Sequence, residues 1–395
     1  MEFNNLKLED LATFKYGKMP NSKKKSIGGP YPIYTGYKIS GYYPEYMYED
    51  EMLIIVARGV GGTGDVKIAP PKCYITNLAI ILELDKANCD YKYMQLYLQS
   101  LNLRYLDSGS AQSQITINDL KRLKVSIPDL TSQQKIAKRI SNIEEKITNN
   151  NNIIHTLEQL SQTIFKQWFI DFEFPNEEGL PYKSSGGEMV ESELGEIPKG
   201  WNLKYLSENV DFLSGGTPKT KEETYWNGTI PFFTPKDAKN SLYTTTTEKS
   251  ITDLGLEKCN SKLYPKNTLF ITARGTVGKL ALANRPMAMN QSCFALKHKE
   301  GKQFYLYNVV ENLVKEIILG ANGAVFNAIN LNDLKRLKYA YSNERLIINF
   351  ENKVSRFYEK MSLLEEENIN LQQLRDTLLP KLLSGEIEIP DDLEV

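Results

Sequence analysis

Cysteine and histidine are scarce. The four cysteines, Cys73, Cys89, Cys259 and Cys293, stand far apart with no Cys-x-x-Cys pair, and only His155 and His298 could join them. This excludes a zinc cluster of ordinary ligand spacing and a disulfide framework. Long apolar runs are also missing: stretches such as residues 52–57 fall far short of the roughly 18 residues of a membrane span. The opening Met-Glu-Phe-Asn-Asn has no basic segment leading into an apolar one, so no secretory signal is readable. The expectation is a cytoplasmic protein without membrane contact. An overall excess of one charge is absent too, with 48 Lys and Arg against 49 Asp and Glu in 395 residues.

Familiar catalytic motifs are lacking as well. There is no G-x-S-x-G, no H-E-x-x-H, and no Asn/Asp-Pro-Pro-aromatic motif of the kind amino-methyltransferases use. Gly59-Val-Gly-Gly-Thr-Gly64 fits a dinucleotide fingerprint in letters, but residues 67–71 run into two prolines where the helix should start. Gly278-Lys279 resembles a Walker lysine yet has Ala273 for the first glycine and Leu280 for the Ser/Thr. A tight, backbone-exposing turn is the better reading of both. Pro128-Asp129 with Glu144-x-Lys146 mimics a nuclease pattern, but Glu144 and Lys146 fall on a helix flank, where charges are ordinarily solvated. No active site is readable.

What is present is an internal repeat. Asn118-Asp-Leu-Lys-Arg-Leu-Lys124 recurs letter for letter as Asn332-Asp-Leu-Lys-Arg-Leu-Lys338, an offset of 214 residues. Ala57-Arg58-Gly59 matches Ala273-Arg274-Gly275, Pro32-Ile-Tyr-Thr35 matches Pro231-Phe-Phe-Thr234, and Asn77 is aligned with Asn290. Each globular copy mixes short β-rich runs with helical stretches, as a small α/β (α+β) domain with an irregular sheet would.

Each copy is followed by a heptad pattern. Ile136, Ile143, Asn150, Leu157 and Ile164 share one position, and Ile140, Ile147, Ile154, Ser161 and Trp168 the other. The counterparts 214 residues on are Phe350, Phe357, Leu364, Leu371 and Leu378, with Val354, Met361, Asn368, Arg375 and Leu382. A seam of this length predicts two helices paired as a coiled coil, with Asn150 and Asn368 as a register-fixing polar layer. The connection over residues 171–200, rich in Gly, Glu and Pro, is expected to return along the first helix without strong structure of its own, which makes the pairing antiparallel. Pro380 should kink or close the second helix, with Gly385 a candidate cap. The resulting division is a first domain over 1–130, a spacer helix over 131–170, a linker over 171–200, a second domain over 201–343, a second helix over 344–384 and an acidic tail over 385–395.

The charge is segregated. Residues 258–299 carry eight basic residues and no acid, residues 11–25 carry Lys15, Lys18, Lys23, Lys24 and Lys25 with none, and residues 173–199 hold seven glutamates against two lysines. Seven tyrosines crowd residues 31–48, and about half of them should be core. Basic residues beside aromatics and amide-rich loops supply phosphate and base-edge contacts together. The candidate DNA-binding residues are Lys15, Lys18, Lys23, Lys24, Lys25, Arg58, Gln112 and Gln114 in the first copy, and Lys219, Arg274, Lys279, Asn322 and Asn327 in the second. The loops over 108–114 and 320–327 are either base-reading or simple turns. Candidate subunit-interface residues are Ile136, Ile140, Ile143, Ile147, Asn150, Val354, Phe357, Met361 and Asn368. His155 reads as a flank of the seam, and His298 as an exposed strand end.

Leu194-Gly-Glu-Ile-Pro-Lys-Gly-Trp201, Ser214-Gly-Gly-Thr-Pro218 and Ala273-Arg-Gly-Thr-Val-Gly278 resemble the entry and loops of a second target-recognition domain in the specificity subunits of type I restriction-modification enzymes. Ile164-Phe-Lys-Gln-Trp-Phe-Ile-Asp-Phe172 and Leu378-Leu-Pro-Lys-Leu-Leu-Ser-Gly-Glu-Ile387 resemble the ends of that family's two spacer helices. The resemblance spans the chain. The first domain departs from it, lacking a Pro-x-Gly-Trp entry and having Gly17-Lys-Met-Pro20 where the second has Gly215-Gly-Thr-Pro218.

The resemblance implies a pseudo-twofold subunit with no catalysis of its own, each domain reading half of a bipartite site in double-stranded DNA while the coiled coil sets the gap. It implies two modification subunits that use S-adenosylmethionine to methylate adenine N6, and restriction subunits that use ATP and Mg for translocation and cleavage, in phage defence. Two other classes compete: a coiled-coil adaptor that binds only protein, and a stand-alone DNA-modifying enzyme, which the missing motifs disfavour.

Overall fold

The computed structural model describes residues 2–59, 62–107, 113–239, 241–320 and 329–390. It divides into two units, one formed by residues 1–147 with 371–395 and the other by residues 148–370. The division falls inside both long helices, Leu130–Phe165 and Glu344–Ser384, so each helix contributes to both units.

In the first unit, Phe3–Lys7 pairs antiparallel with Lys124–Pro128. A four-stranded antiparallel sheet runs in the order Ala12–Tyr16, Ala79–Leu84, Met52–Val56, Val66–Ala69. Its strand Met52–Val56 is apolar at all five positions and buried throughout, as a strand covered on both faces must be. A smaller sheet joins Ile39–Tyr43, Tyr31–Tyr34 and Tyr74–Ile75, the last pair parallel. The helix Tyr91–Ser100 begins at Asp90, whose carboxylate accepts the Tyr93 N–H at 2.8 Å. Residues 62–65 lead into the strand Val66–Ala69, which pairs antiparallel with Met52–Val56, so a strand stands where a dinucleotide fold has its phosphate-binding helix.

The second unit repeats this plan. Asn202–Tyr205 pairs with Lys338–Tyr341, and the main sheet runs Val210–Ser214, Cys293–His298, Leu269–Thr272, Leu280–Ala283, with Tyr243–Thr244 added in parallel. Trp226–Phe233 pairs with Ser250–Ile251 and, in parallel, with Ala288–Met289.

Backbone hydrogen bonds show which residues are equivalent. Ala57 N–H donates to the Leu78 carbonyl, and the Ala57 carbonyl accepts Ile115 N–H at 3.0 Å; Ala273 N–H donates to the Ser292 carbonyl, and the Ala273 carbonyl accepts Ile329 N–H at 3.0 Å. Thr76 N–H donates to Tyr34, and Asn290 N–H to Phe233. The equivalent of Asn290 is therefore Thr76, not Asn77, which corrects the alignment read from the letters. Both side chains accept the N–H two residues on, from Leu78 and Ser292 respectively. A Thr and an Asn can do the same local job, which is why matching letters misled.

The exact seven-residue repeat has an internal reason. Asp119 and Asp333 close capping boxes with Thr116 and Asn330, at the starts of the short helices Ile117–Lys121 and Leu331–Lys335. Leu120 and Leu334 are both fully buried behind them.

The long helices are capped alike. Asp129 accepts Ser132 N–H at 3.0 Å, and Asn343 accepts Leu346 N–H at 2.9 Å. Asp129, half of the nuclease-like pattern, is thus a helix cap. In the second unit the two helices run antiparallel: Asn150 donates to Asn368 at 3.0 Å and to Glu367 at 2.9 Å, while Phe165 packs edge-on against Phe350 at 5.8 Å. In the first unit Ile136 and Ile140 share a core with Leu382 and Leu383.

Two expectations about these segments change, those for Phe357 and for the linker, while the helix end at Gly385 is as expected. Phe357 is only half-buried, and Tyr358 is fully buried in its place. The Tyr358 hydroxyl accepts Ser161 at 3.2 Å and Asn308 at 2.9 Å, because the helix Gln303–Gly320 adds a third surface and widens the buried face beyond a two-helix seam. The second helix continues past Pro380 to Ser384 and is closed by Gly385, at φ +76°. The linker is structured: Met189–Ser192 and Gly195–Pro198 form a hairpin. It does not run back along the first helix, since Phe174, Ile197 and Trp201 pack in one core with Phe165 and Phe169 at that helix's end.

Candidate nucleic-acid interface

Each unit builds the same edge from three segments. In the first, the chain leaves the strand Ala12–Tyr16 through Gly17, and Gly17 and Lys18 donate to Ala79 and Ile75 at 3.0 Å. In the second, Gly215 follows Val210–Ser214, and Gly216 N–H donates to Met289 at 3.1 Å. A Cβ on Gly17 would lie 2.5 Å from the Ile75 carbonyl, and one on Gly215 2.5 Å from that of Met289. Only glycine allows this approach. The second segment is the turn at residues 76–78, or 290–292, and the third carries Arg58, or Arg274, directly after the alanine bonded to that turn.

Arg58 and Arg274 are both exposed and form no ion pair among the described residues. Arg58 bridges Gln114 through backbone, and the Gln114 N–H is held by Asp107 at 2.8 Å. Lys18, Arg58 and Gln114 therefore share one edge. The glycines beside Arg58 make room for an aromatic ring: a Cβ on Gly62 would meet Tyr37 Cζ at 2.6 Å.

The remaining candidates differ in setting. Lys15 lies on a strand and pairs with Glu83 at 2.9 Å, a carboxylate that also accepts the Tyr48 hydroxyl at 2.9 Å. These partners hold the Glu83 carboxyl below its usual range, with the Lys15 hydrogen bond the largest cause. Lys23 and Lys24 lie on the exposed turn Ser22–Lys24, with Lys25 following, and Lys24 pairs with Glu45 at 2.9 Å. Lys219 and Lys279 are exposed in the second unit. Gln112, Asn322 and Asn327 lie outside the described residues. Of the seven crowded tyrosines only Tyr43 is buried, while Tyr37 and Tyr46 are exposed. Tyr31 and Tyr34 lie on the middle strand of a three-stranded sheet, where Ile33 between them is the fully buried residue.

Ile136, Ile140, Asn150, Val354, Met361 and Asn368 are buried inside this chain, and Ile143, Ile147 and Phe357 are half-buried. A partner approaching the helices would meet other faces, which in the second unit carry exposed Ile153, Leu160 and Leu363.

His298 is 2% exposed, contrary to the expectation of a solvated strand end. Its Nδ1 accepts Glu300 N–H at 3.2 Å, and Nε2 is buried without a partner among the described residues. Burial, reinforced by Lys302 and Lys204, pushes its pKa down to about 4. The unfolded ring titrates near 6.5, so between these values only the unfolded chain takes the proton and stability falls as pH falls. The expected loss between pH 6.5 and 4 is about 3 kcal/mol, and His298→Gln should remove it. Half-buried Glu351, with its pKa raised by desolvation, works in the opposite direction in both proteins. Urea unfolding across this range checks the difference; parallel curves would contradict it.

Among the described residues no group of His, Cys, Asp and Glu could hold a metal ion, and no helix is long and apolar enough to cross a membrane.

The model of the type I restriction modification DNA specificity domain matches residues 1–159 and 198–339. The chain is similar to the MjaIX specificity subunit of Methanocaldococcus jannaschii, 26% identical over 98% of this chain and 93% of the relative. It is also similar to the HindI specificity subunit of Haemophilus influenzae, 24% identical over 69% and 71%. The fold is that of the crystal structure of a type I restriction-modification S subunit from M. genitalium, with a TM-score of 0.67 over 97% of this chain and 96% of that one, at 19% identity. With two such domains covering most of its length, the chain belongs to the type I restriction-modification DNA specificity family.

Proposed function

We propose that this chain is the DNA-reading subunit of a type I restriction-modification complex, each domain reading one half of a bipartite duplex site and the long helices setting the gap between halves. The observation that carries this reading is the duplicated edge: one framework of glycine, turn and exposed arginine, surrounded by side chains that differ between the copies. A shared arginine suits phosphate, which is the same at every sequence, while the differing neighbours suit two different half-sites.

Two identical modification subunits would meet surfaces that are alike in both copies. The repeated segment provides such surfaces, since Asn118 and Arg122 are exposed in one copy and Asn332 and Arg336 in the other, without serving the core. In this reading the chain acts in the cytoplasm and contributes recognition without catalysis. S-adenosylmethionine is used by the modification subunits, and ATP with Mg by the restriction subunits.

The test is to express the chain with its modification partners in a host lacking adenine methylation and to map N6-methyladenine across the genome. A bipartite motif with a constant gap is expected; methylation confined to a single continuous motif would refute the reading. Within that assay, Arg274→Ala should weaken binding to every sequence and lower the slope of log K against log salt by about one unit. If the variant instead preferred different bases, Arg274 would be a base reader and not a phosphate anchor.

A further inference from the structure

The corrected alignment places Gln291 opposite Asn77, at the middle of the turn each unit presents on its edge. Gln291 is exposed, and its Oε1 accepts a hydrogen bond from the Thr217 hydroxyl. Thr217 is itself exposed and comes from the glycine segment. The bond restrains a side chain that would otherwise rotate freely. It uses one lone pair of Oε1, leaving the other lone pair and both Nε2 protons without partners among the described residues.

An acceptor and a donor side by side on one amide match the N6 amino group and N7 of adenine in the major groove. The residue before Arg274 is tied to the same turn, because Ala273 N–H donates to Ser292 at 2.8 Å. A phosphate anchor and an outward amide therefore share one rigid edge.

We infer that Gln291, oriented by Thr217, reads an adenine in the half-site of the second domain. In the first domain the equivalent pair is Met19 and Asn77. Met19 is 79% exposed, and Asn77 forms no side-chain hydrogen bond among the described residues. The same framework thus carries a thioether and a shorter amide, a pair that meets a different base step. An exposed methionine suits the thymine methyl group, which is met by apolar contact.

The inference rests on the DNA-reading function proposed above, and the experiment separates the two. The complete complex with modification subunits is used for methylation mapping and for binding to duplexes varied one base pair at a time. For Gln291→Ala, discrimination at a single adenine position of one half-site should fall by roughly 5- to 150-fold, with the other half-site unchanged. Thr217→Val should loosen the same position and Thr217→Ser should restore it, which identifies Thr217 as a positioning residue. Gln291→Glu should shift the preference there towards cytosine, whose amino group needs an acceptor. An unchanged motif in Gln291→Ala overturns the inference. So does a uniform loss over all sequences by a variant whose thermal unfolding matches that of the parent. If the parent complex yields no bipartite motif, the DNA-reading proposal itself fails.

Discussion

Phe350→Ala is expected to destabilise the second unit by about 3–5 kcal/mol. Phe350 is fully buried, with its ring 5.4 Å from Phe169, 5.8 Å from Phe165, 6.2 Å from Trp168 and 6.2 Å from Tyr305. Removing it leaves a cavity where the two long helices meet the helix Gln303–Gly320, and helices locked on all sides cannot collapse to fill it. Phe357→Ala, one heptad on and half-buried, should cost much less. Tryptophan fluorescence during urea unfolding reads the difference, since Trp168 and Trp201 lie in the same aromatic cluster. Equal losses would mean that the buried face follows the two-helix heptad and not the three-helix packing.

Replacing residues 1–130 with the equivalent domain of a relative should change one half of the methylated motif and leave the other half intact. The expectation follows from the core arrangement. The apolar cluster of the first unit holds Leu53, Ile80, Leu82, Tyr93 and Met94 together with Ile136, Ile140, Leu382 and Leu383, and none of these residues belongs to the second unit's clusters. A transplanted domain that keeps the apolar contacts to Ile136 and Leu382 should therefore fold on the recipient helices. Genome-wide mapping of N6-methyladenine is the measurement, and simultaneous change of both halves would defeat the two-reader proposal.

The fold was legible wherever one signal sufficed. The 214-residue offset, the strand-like run at residues 52–56 and the 3.5-residue seam each depend on local pattern, and each corresponds to a structure found in that place. The Asn150 and Asn368 layer was legible for the same reason: two polar residues interrupting apolar seams must meet if the helices are antiparallel. Tyr358 was not legible, because the helix that buries it comes from a part of the chain some fifty residues away. His298 was misread because alternation along its strand says nothing about the Gln303–Gly320 helix that covers it.

The candidate edge was only partly readable. Arg58 and Arg274 stood out as a shared arginine after a strand, but Thr217 and Gln291 are separated by 74 positions and have no letters in common with Met19 and Asn77. The duplication, the strand and helix periodicities and the family are all written in the letters. Each rests on periodicity or identity along the chain, where near neighbours carry the information. Which helix face is buried, which histidine is dry, and that residue 291 is the counterpart of residue 77 emerge only once the chain is folded. Those outcomes depend on hydrogen bonds and packing between segments far apart in the chain, and different side chains can satisfy them equally well.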